Sequence, residues 1–173
     1  MKKAFIFFFL FLLFFMQSQD AKALILRSVA DISLGMSIKD FRERFSNEEV
    51  TDSFALLKGD RVFAINKGTK DVETFLGSFY DGKLYKIEVV YTLPYSNQVP
   101  WKVFVKGAIQ EFGPGKQLET TAGPVLMWGD EESSLKMERR RLKGGKFRYV
   151  LSILDNAIFL SRGENCSSQP FKV

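Results

Sequence analysis

Histidine, the commonest general base and a common zinc ligand, is absent from all 173 residues of the sequence. Its absence excludes a Ser-His-Asp triad, a Cys-His dyad and any zinc site that uses imidazole. The densest run of carboxylates is Asp130-Glu131-Glu132, residue types that can perform acid–base catalysis. The run lies between two predicted strands, where a solvated turn is expected, and it lacks the alternating spacing of a calcium loop. We therefore predict no catalytic residue, no metal site and no cofactor.

A glycine-rich stretch, Gly113-Pro114-Gly115-Lys116, superficially resembles a phosphate-binding loop. A P-loop follows a strand and has a longer glycine spacing, whereas this stretch follows a predicted helix. The pattern is more typical of a helix C-terminus, where glycine adopts a left-handed conformation.

Basic residues are concentrated near the C-terminus. In a strand, Arg139 and Arg141 share one face with Leu135 and Met137, while Arg140 points to the other face. Nucleic acid is not expected as a partner, because no aromatic stacking platform interleaves the arginines. Two interpretations stay open: a solvated hairpin partly neutralised by Glu138, or a surface that contacts an acidic protein or anionic lipid head groups. The basic residues are Lys136, Arg139, Arg140, Arg141, Lys143, Lys146 and Arg148.

We predict that the binding surface is the exposed sheet face and hairpin ends of the second half of the chain. Arginine, tyrosine and tryptophan dominate the energies of protein interfaces. The charged rim of this surface is assigned to Arg139, Arg141, Lys143 and Arg148, and its aromatic anchors to Trp128 and Tyr149.

The N-terminus predicts export from the cytoplasm. Lys2 and Lys3 precede an apolar run from Ala4 to Met16, and a small-x-small cleavage motif follows at Ala21-Lys22-Ala23. The apolar run is shorter than the roughly 20 residues of a membrane-spanning helix. Residues 1–23 are therefore expected to be a cleaved signal peptide, which leaves a periplasmic or extracellular protein. Lipid attachment is not expected, since the single cysteine is Cys166, near the opposite end.

The first part of the mature chain reads as a helix followed by strands. Ser37 precedes apolar residues at helical spacing, and Asp40 completes a variant of the capping box. Asp81-Gly82 is a strong hairpin signal. The predicted elements are a helix over Ile38–Phe45 and strands over Phe54–Leu57, Val62–Asn66, Glu73–Tyr80 and Lys83–Thr92.

The second part repeats this order after a break at 94–100, which contains two prolines. Apolar residues at spacings of three and four predict a helix over Trp101–Phe112, with Pro100 at its start and Gly113 beyond its end. Gly144-Gly145 and Asp155-Asn156 are predicted turns. The predicted strands are Val125–Trp128, Ser134–Leu142, Lys146–Leu154 and Ala157–Ser161.

An offset of 63 residues brings the helix, strand and hairpin signals of the two parts into register. We therefore predict an α+β fold made of two related halves that form a curved antiparallel sheet with helices on one face. The halves are 24–95 and 96–163, followed by a polar tail over 164–173. Phe41, Phe45, Phe104, Ala108 and Phe112 are expected to face the sheet.

The segment that opens the first half, Ile32-Ser-Leu-Gly35-Met36-Ser37, resembles the opening motif of the SmpA/OmlA (BamE) outer-membrane lipoproteins and of the β-lactamase inhibitor protein fold. The tandem helix-plus-hairpins order is similar to that of the inhibitor protein. The chain lacks the lipidated cysteine of the lipoproteins and the cysteine pairs of the inhibitor protein. Its second helix also begins without a Gly-Met-Ser turn. The resemblance implies a fold and a habit of binding proteins, and it implies no individual binding residue.

Three functions follow from these observations. The first is a non-enzymatic module of the bacterial cell envelope that binds another envelope or secreted protein. The second is a carrier or sensor of a lipid or another apolar ligand held between helices and sheet, which requires a sizeable apolar cavity. The third is a hydrolase of unrecognised type, which requires a polar pocket with perturbed carboxylates.

Overall fold

The computed structural model describes residues 27–46, 50–53, 60–66 and 69–161. The predicted signal peptide over 1–23, the predicted strand at Phe54–Leu57, and Cys166 with its polar tail lie outside these ranges. Within them, no helix is both long enough and apolar enough to span a membrane.

The described chain is an α+β protein with one large antiparallel sheet, as the sequence predicts. Eight strands follow the order β3-β4-β5-β6-β10-β9-β8-β7, and a short hairpin, β1-β2, precedes them. The strands are β1 (Ser28–Val29), β2 (Ile32–Ser33), β3 (Val50–Ser53), β4 (Arg61–Ile65), β5 (Val72–Tyr80), β6 (Lys83–Tyr91), β7 (Lys116–Thr120), β8 (Gly123–Gly129), β9 (Ser133–Arg141) and β10 (Phe147–Asp155). The α-helices are α1 (Ile38–Arg44), α2 (Leu93–Gln98), α3 (Trp101–Phe112) and α4 (Asn156–Ser161).

Helix α1 begins where its capping residue predicts. The Ser37 hydroxyl accepts a hydrogen bond from the backbone N–H of Asp40 at 3.1 Å, which satisfies a donor left free by the first turn. Phe41 and Phe45 are buried. Phe41 contacts the rings of Phe63 and Phe79 at centroid distances of 6.0 and 5.2 Å. Helix α1 therefore covers the first half of the sheet.

Helix α3 covers the second half on the same face. Ala108 is buried, and Phe104 and Phe112 are half-buried against the core. Phe104 stacks on Tyr149 of β10 at 4.7 Å, and Phe112 meets Trp128 of β8 at 5.6 Å. The face of the sheet that carries α1 and α3 is called the helix face below, and the other is called the open face.

Most of the segment 94–100 forms a short helix, α2, which the sequence pattern did not predict. Helix α2 forms there because the Thr92 hydroxyl accepts from the N–H of Tyr95 at 3.3 Å, and Pro94 falls in the first turn, where its missing N–H costs nothing. Its Ser96 hydroxyl accepts from the N–H of Tyr149, so α2 lies beside β10 where β6 has ended.

Two further predictions in the second half were wrong. The predicted strand Ala157–Ser161 is helix α4, because the Asp155 carboxylate accepts from the N–H of Ile158 at 3.0 Å and caps its first turn. Asp155-Asn156 is consequently not a hairpin turn. In addition, β7 was not predicted, although it pairs with β8 from Lys116↔Met127 to Thr120↔Gly123.

Candidate functional site

The basic residues assigned to the binding rim are divided between the two faces of the sheet. Leu135 and Met137 of β9 are buried on the helix face. Arg139 lies on the same face, with its guanidinium 3.8 Å from the Phe147 ring centroid. Arg148 lies on the open face, where its Nη2 atom is 2.8 Å from the Glu73 carboxylate. Arg141 and Lys143 are exposed near the tip of the β9–β10 hairpin. The predicted rim is therefore not one continuous surface.

The aromatic anchors predicted at Trp128 and Tyr149 are not exposed, which corrects the candidate surface. Trp128 is 8% exposed and Tyr149 is 2% exposed, and both lie on the helix face. The Trp128 indole N–H donates to the carbonyl of Gly113 at 2.9 Å, and the Tyr149 hydroxyl donates to the carbonyl of Val99 at 2.7 Å. These two side chains secure the two ends of α3, and neither is available to a partner in this conformation.

A different set of charged residues converges at the centre of the open face. We call it the charge network. Its members are Lys86 and Glu88 of β6 with Lys136, Glu138 and Arg140 of β9.

Strand register places these five side chains on one face. The strand β10 lies between β6 and β9, and Ser152 of β10 is the register partner of both Glu88 and Lys136. Glu138 pairs with Val150 of the same strand. Because alternate residues of a strand share a face, charges at every second position of β6 and β9 meet above β10.

Arg140 joins the two carboxylates of the network. Its Nε atom donates to Glu138 at 2.9 Å, and its Nη2 atom donates to Glu88 at 2.8 Å. The Lys86 ammonium is 3.1 Å from Glu88, and the Lys136 ammonium is 2.8 Å from Glu138. Each carboxylate therefore has two cationic partners, the arrangement that makes a partly buried charge tolerable.

The electrostatics of the network keep both carboxylates ionised. Burial by itself raises the pKa of Glu88, but the charge of Lys86 and the hydrogen bond from Arg140 outweigh it and hold that pKa below the usual range. Burial opposes ionisation of Glu138 as well, and the hydrogen bond and charge of Lys136, with Arg140, hold its pKa below the usual range. Burial alone lowers the pKa of Arg140, but its hydrogen bonds and ion pairs with Glu88 and Glu138 raise it above the usual value.

Cations form the outer layer of the network. The Glu88 and Glu138 side chains are 9% and 16% exposed. The Lys86, Lys136 and Arg140 side chains are 31%, 38% and 43% exposed. A molecule that approaches this face therefore meets three cations before it meets the carboxylates.

Half-buried apolar residues flank the charge network in register. Leu76 pairs with Glu88, Leu154 with Lys86, and Met127 with Lys136. Apolar and charged side chains therefore lie side by side on this face.

Two open depressions lie beside α1, away from the charge network. The first has a volume of about 290 Å³ and the second about 550 Å³. Charged side chains contribute to both linings, so neither is the apolar cavity between helices and sheet that a lipid carrier requires. Among the described residues, no group of three or more cysteine, aspartate or glutamate residues is arranged to hold a metal ion. The linings are Arg42, Phe45, Ser46, Val50, Asp52 and Phe63 for the first, and Ser33, Met36, Asp40, Glu43 and Arg44 for the second.

The acidic run Asp130-Glu131-Glu132 forms the turn between β8 and β9, as its position in the sequence predicts. The Asp130 carboxylate accepts from the N–H groups of Glu132 and Ser133 at 2.9 and 2.7 Å. Ser133 also stands three residues before Lys136, the spacing of a Ser-x-x-Lys pair. On a strand that spacing places the two side chains on opposite faces, so they do not form a catalytic pair.

The sequence contained a signal for the charge network that we did not use. Charges occupy every second position in Lys86-x-Glu88 and in Lys136-x-Glu138-x-Arg140, while the alternate positions are apolar in β6 and at the start of β9. That pattern assigns each set of charges to one face. It does not show that the two strands share a neighbour, which required the sheet order.

The described chain is an α+β protein whose large antiparallel sheet carries α1 and α3 on one face and the charge network on the other. Comparisons of the chain with family models, curated proteins and solved structures find no match.

Proposed function

We propose that this chain is an exported, non-enzymatic module that binds another protein of the bacterial cell envelope through the open face of its sheet. The observation that carries the proposal is the charge network, which presents cations at the centre of a face where α1 and α3 do not pack. The flanking residues Leu76, Met127 and Leu154 supply apolar area next to these charges.

Residues of the predicted rim extend this surface only in part. Arg148 lies on the open face, where Arg140 is its register partner on β9. Arg141 and Lys143 contribute exposed charge at the hairpin tip, and Arg139 belongs to the helix face. The binding surface that we propose is consequently centred on Lys86, Lys136 and Arg140, with Arg148 at its margin.

We also propose that the sheet is built from two related halves. Each half contributes four consecutive strands to the order β3-β4-β5-β6-β10-β9-β8-β7, and their last strands, β6 and β10, meet in antiparallel register. A helix precedes the strands in each half. A test is to express 24–91 and 92–163 as separate chains, which leaves α2 and its capping Thr92 intact: the two halves should assemble when mixed, and failure to co-purify would count against the idea.

Export is the part of the proposal that rests on the N-terminus alone. The charged start, the apolar run and the Ala21-Lys22-Ala23 motif support cleavage after Ala23. Intact-mass measurement of the protein recovered from cells should give a chain that begins at Leu24. Recovery of the full-length chain from the membrane fraction would contradict the proposed export.

Binding is tested by capture from an envelope extract with three versions of the mature protein. The parent should retain a specific protein identified by mass spectrometry, and the double variant Lys86→Gln/Lys136→Gln should retain less of it. The control variant Lys102→Gln/Lys106→Gln has the same net charge, but its substitutions lie on exposed positions of α3 on the helix face. It should behave like the parent.

Equal capture by all three versions would move the binding surface away from the open face. If no version captures a protein and the parent is stabilised by added lipid, the carrier function would replace the binding module. Turnover of a small substrate would favour the hydrolase instead.

A further inference from the structure

We infer, on the basis of the proposed function, that the partner docks an acidic extended segment on the charge network, with its carboxylates bound by Lys86, Lys136 and Arg140. Such binding depends on how the two carboxylates of the network hold the three cations.

Each cation of the network retains donors that its internal ion pair does not use. Lys86 and Lys136 each have one carboxylate oxygen within 3.1 Å, while an ammonium group carries three N–H donors. Arg140 uses Nε and Nη2 for Glu138 and Glu88, and within the described chain its Nη1 group has no part in these bonds. A guanidinium group offers five N–H donors in a planar fork that matches a carboxylate.

The internal carboxylates also fix the positions of these donors before a partner arrives. A free lysine or arginine loses rotamer entropy when it is immobilised. Here Glu88 and Glu138 already restrain the three side chains. An incoming carboxylate therefore meets preorganised donors and avoids part of that entropy loss.

Charge complementarity selects an acidic occupant. The network contains three cations and two carboxylates, and the carboxylates are the more deeply buried members. Lys86 lies on β6 and Lys136 on β9, and only β10 separates these two strands. Because neighbouring strands lie almost 5 Å apart, the Cα atoms of the two lysines are about 10 Å or more apart. Carboxylates on alternate residues of an extended segment cover such a distance within a few residues.

An acidic protein segment fits this face better than an anionic membrane. A membrane contacts the most protruding apolar groups of a protein, which insert at the head-group boundary. The large apolar side chains that are exposed in the described chain, Val103, Ile109 and Leu160, belong to α3 and α4. The apolar side chains beside the charge network, Leu76, Met127 and Leu154, are half-buried and lie within the strands.

The test is direct binding of short labelled peptides to the mature protein, measured by fluorescence anisotropy. The peptides alternate serine with glutamate, glutamine or lysine. The glutamate peptide should bind, and its affinity should fall with added salt, because exposed ion pairs are screened over about 8–10 Å at physiological ionic strength. The glutamine and lysine peptides should not bind.

The protein variants locate the site. Loss of two exposed ion pairs predicts an affinity about tenfold lower for Lys86→Gln/Lys136→Gln. The charge-matched control Lys102→Gln/Lys106→Gln should bind like the parent. Circular dichroism melts of each variant show whether the fold is intact, and Arg140→Lys, which keeps the charge but lacks the fork, is a milder variant that should also weaken binding.

Several outcomes would overturn the inference. They are no binding of the glutamate peptide, equal binding by both double variants, and preferential binding to mixed phosphatidylglycerol and phosphatidylcholine vesicles over the peptide. If envelope capture depends on the open face but an excess of glutamate peptide does not compete, the inference fails and the proposed function stands. If the peptide binds through Lys86 and Lys136 but no envelope protein is captured, the proposed function fails instead.

Discussion

Glu88 and Arg140 form an ion pair of 2.8 Å although the strand β10 lies between their own strands, β6 and β9. The Arg140 side chain spans β10 and reaches Glu88, a residue 52 positions earlier in the chain. It remains bonded to Glu138 of its own strand. This pair therefore connects three adjacent strands at the centre of the sheet by side chains as well as by backbone hydrogen bonds.

Removal of the Arg140 guanidinium should destabilise the protein. In Arg140→Ala both Glu88 and Glu138 lose a charged hydrogen-bond donor, a loss of about 1.5–3 kcal/mol per bond to a charged group. Lys86 and Lys136 remain, and Arg140 is 43% exposed, so solvent screening reduces the effect and we expect about 2 kcal/mol in all. Urea unfolding measures the change.

Arg141→Ala is the control for this prediction, because Arg141 is exposed on the neighbouring position of the same strand. Its free energy of unfolding should stay within about 0.5 kcal/mol of the parent value. Equal unfolding midpoints for the two variants would show that the network adds nothing to stability.

Acid should weaken the fold through the same carboxylates. The pKa values of Glu88 and Glu138 are lower in the folded protein than in the unfolded chain, so their contribution to stability is complete above the unfolded value of about 4.3. It is lost as the pH falls from there through the lowered folded values. Urea unfolding at a series of pH values should show this loss.

The isosteric variants Glu88→Gln and Glu138→Gln carry no ionisable group at these positions. Their unfolding free energies should consequently change less over the acidic range than that of the parent. A parent curve and a variant curve with the same slope would mean that the two carboxylates do not control the acid sensitivity.

Two glycines near α3 should respond to alanine in opposite directions. A Cβ atom at Gly115 lies 2.7 Å from Cε2 of Trp128 and 3.0 Å from the Met127 carbonyl oxygen, so Gly115→Ala must displace the indole or the backbone. We expect a loss of about 1–3 kcal/mol, as for other overpacked sites. Gly107 lies inside α3 with nothing within 4 Å of such an atom, and Gly107→Ala should gain up to about 1 kcal/mol.

Thermal melts of both glycine variants check this prediction. A higher melting temperature for Gly107→Ala would also support a helical backbone at position 107 of α3. A Gly115→Ala protein as stable as the parent would show that Trp128 is not held against the loop between α3 and β7.

Phe104 should contribute more than its neighbour Val103 on the same helix. The Phe104 ring contacts Tyr91 and Tyr149 at 5.0 and 4.7 Å, but the side chain is only half-buried. We expect Phe104→Ala to cost about 2–3 kcal/mol, below the 3–5 kcal/mol of a fully buried phenylalanine. Val103 is 57% exposed, and Val103→Ala should be nearly neutral in urea unfolding. The reverse order would mean that the helix face is assigned wrongly.

Local signals in the sequence predicted the elements whose start and end depend on nearby residues. Ser37 placed the beginning of α1, Asp81-Gly82 placed the β5–β6 hairpin, and helical spacing placed α3. In each case the capping atom, turn residue or apolar stripe lies within the element or directly beside it. Such contacts are formed by residues close in sequence, so the sequence alone determines them.

Helix α4 depends on partners far along the chain, whereas helix α2, which the sequence also did not predict, is capped locally by Thr92. Asn156, at the start of α4, donates its N–H to Glu132 and its side-chain amide to the carbonyl of Asp130. A six-residue apolar segment fits a strand or a helix equally well, and only these contacts and the Asp155 cap distinguish them. Strand β7 has no apolar alternation of its own and is defined by its pairing with β8, the next strand in the chain.

The sequence by itself determined the chemistry available to the site, and the tertiary structure decided where that chemistry lies. The absence of histidine, the excess of arginine near the C-terminus and the alternation within β9 are readable from the residues. Strand order decided that Arg140 meets Glu88 above β10, and packing against α3 decided that Trp128 and Tyr149 are buried. The physical reason is that alternation fixes only which residues share a face, whereas burial and ion pairing depend on the elements that pack against that face.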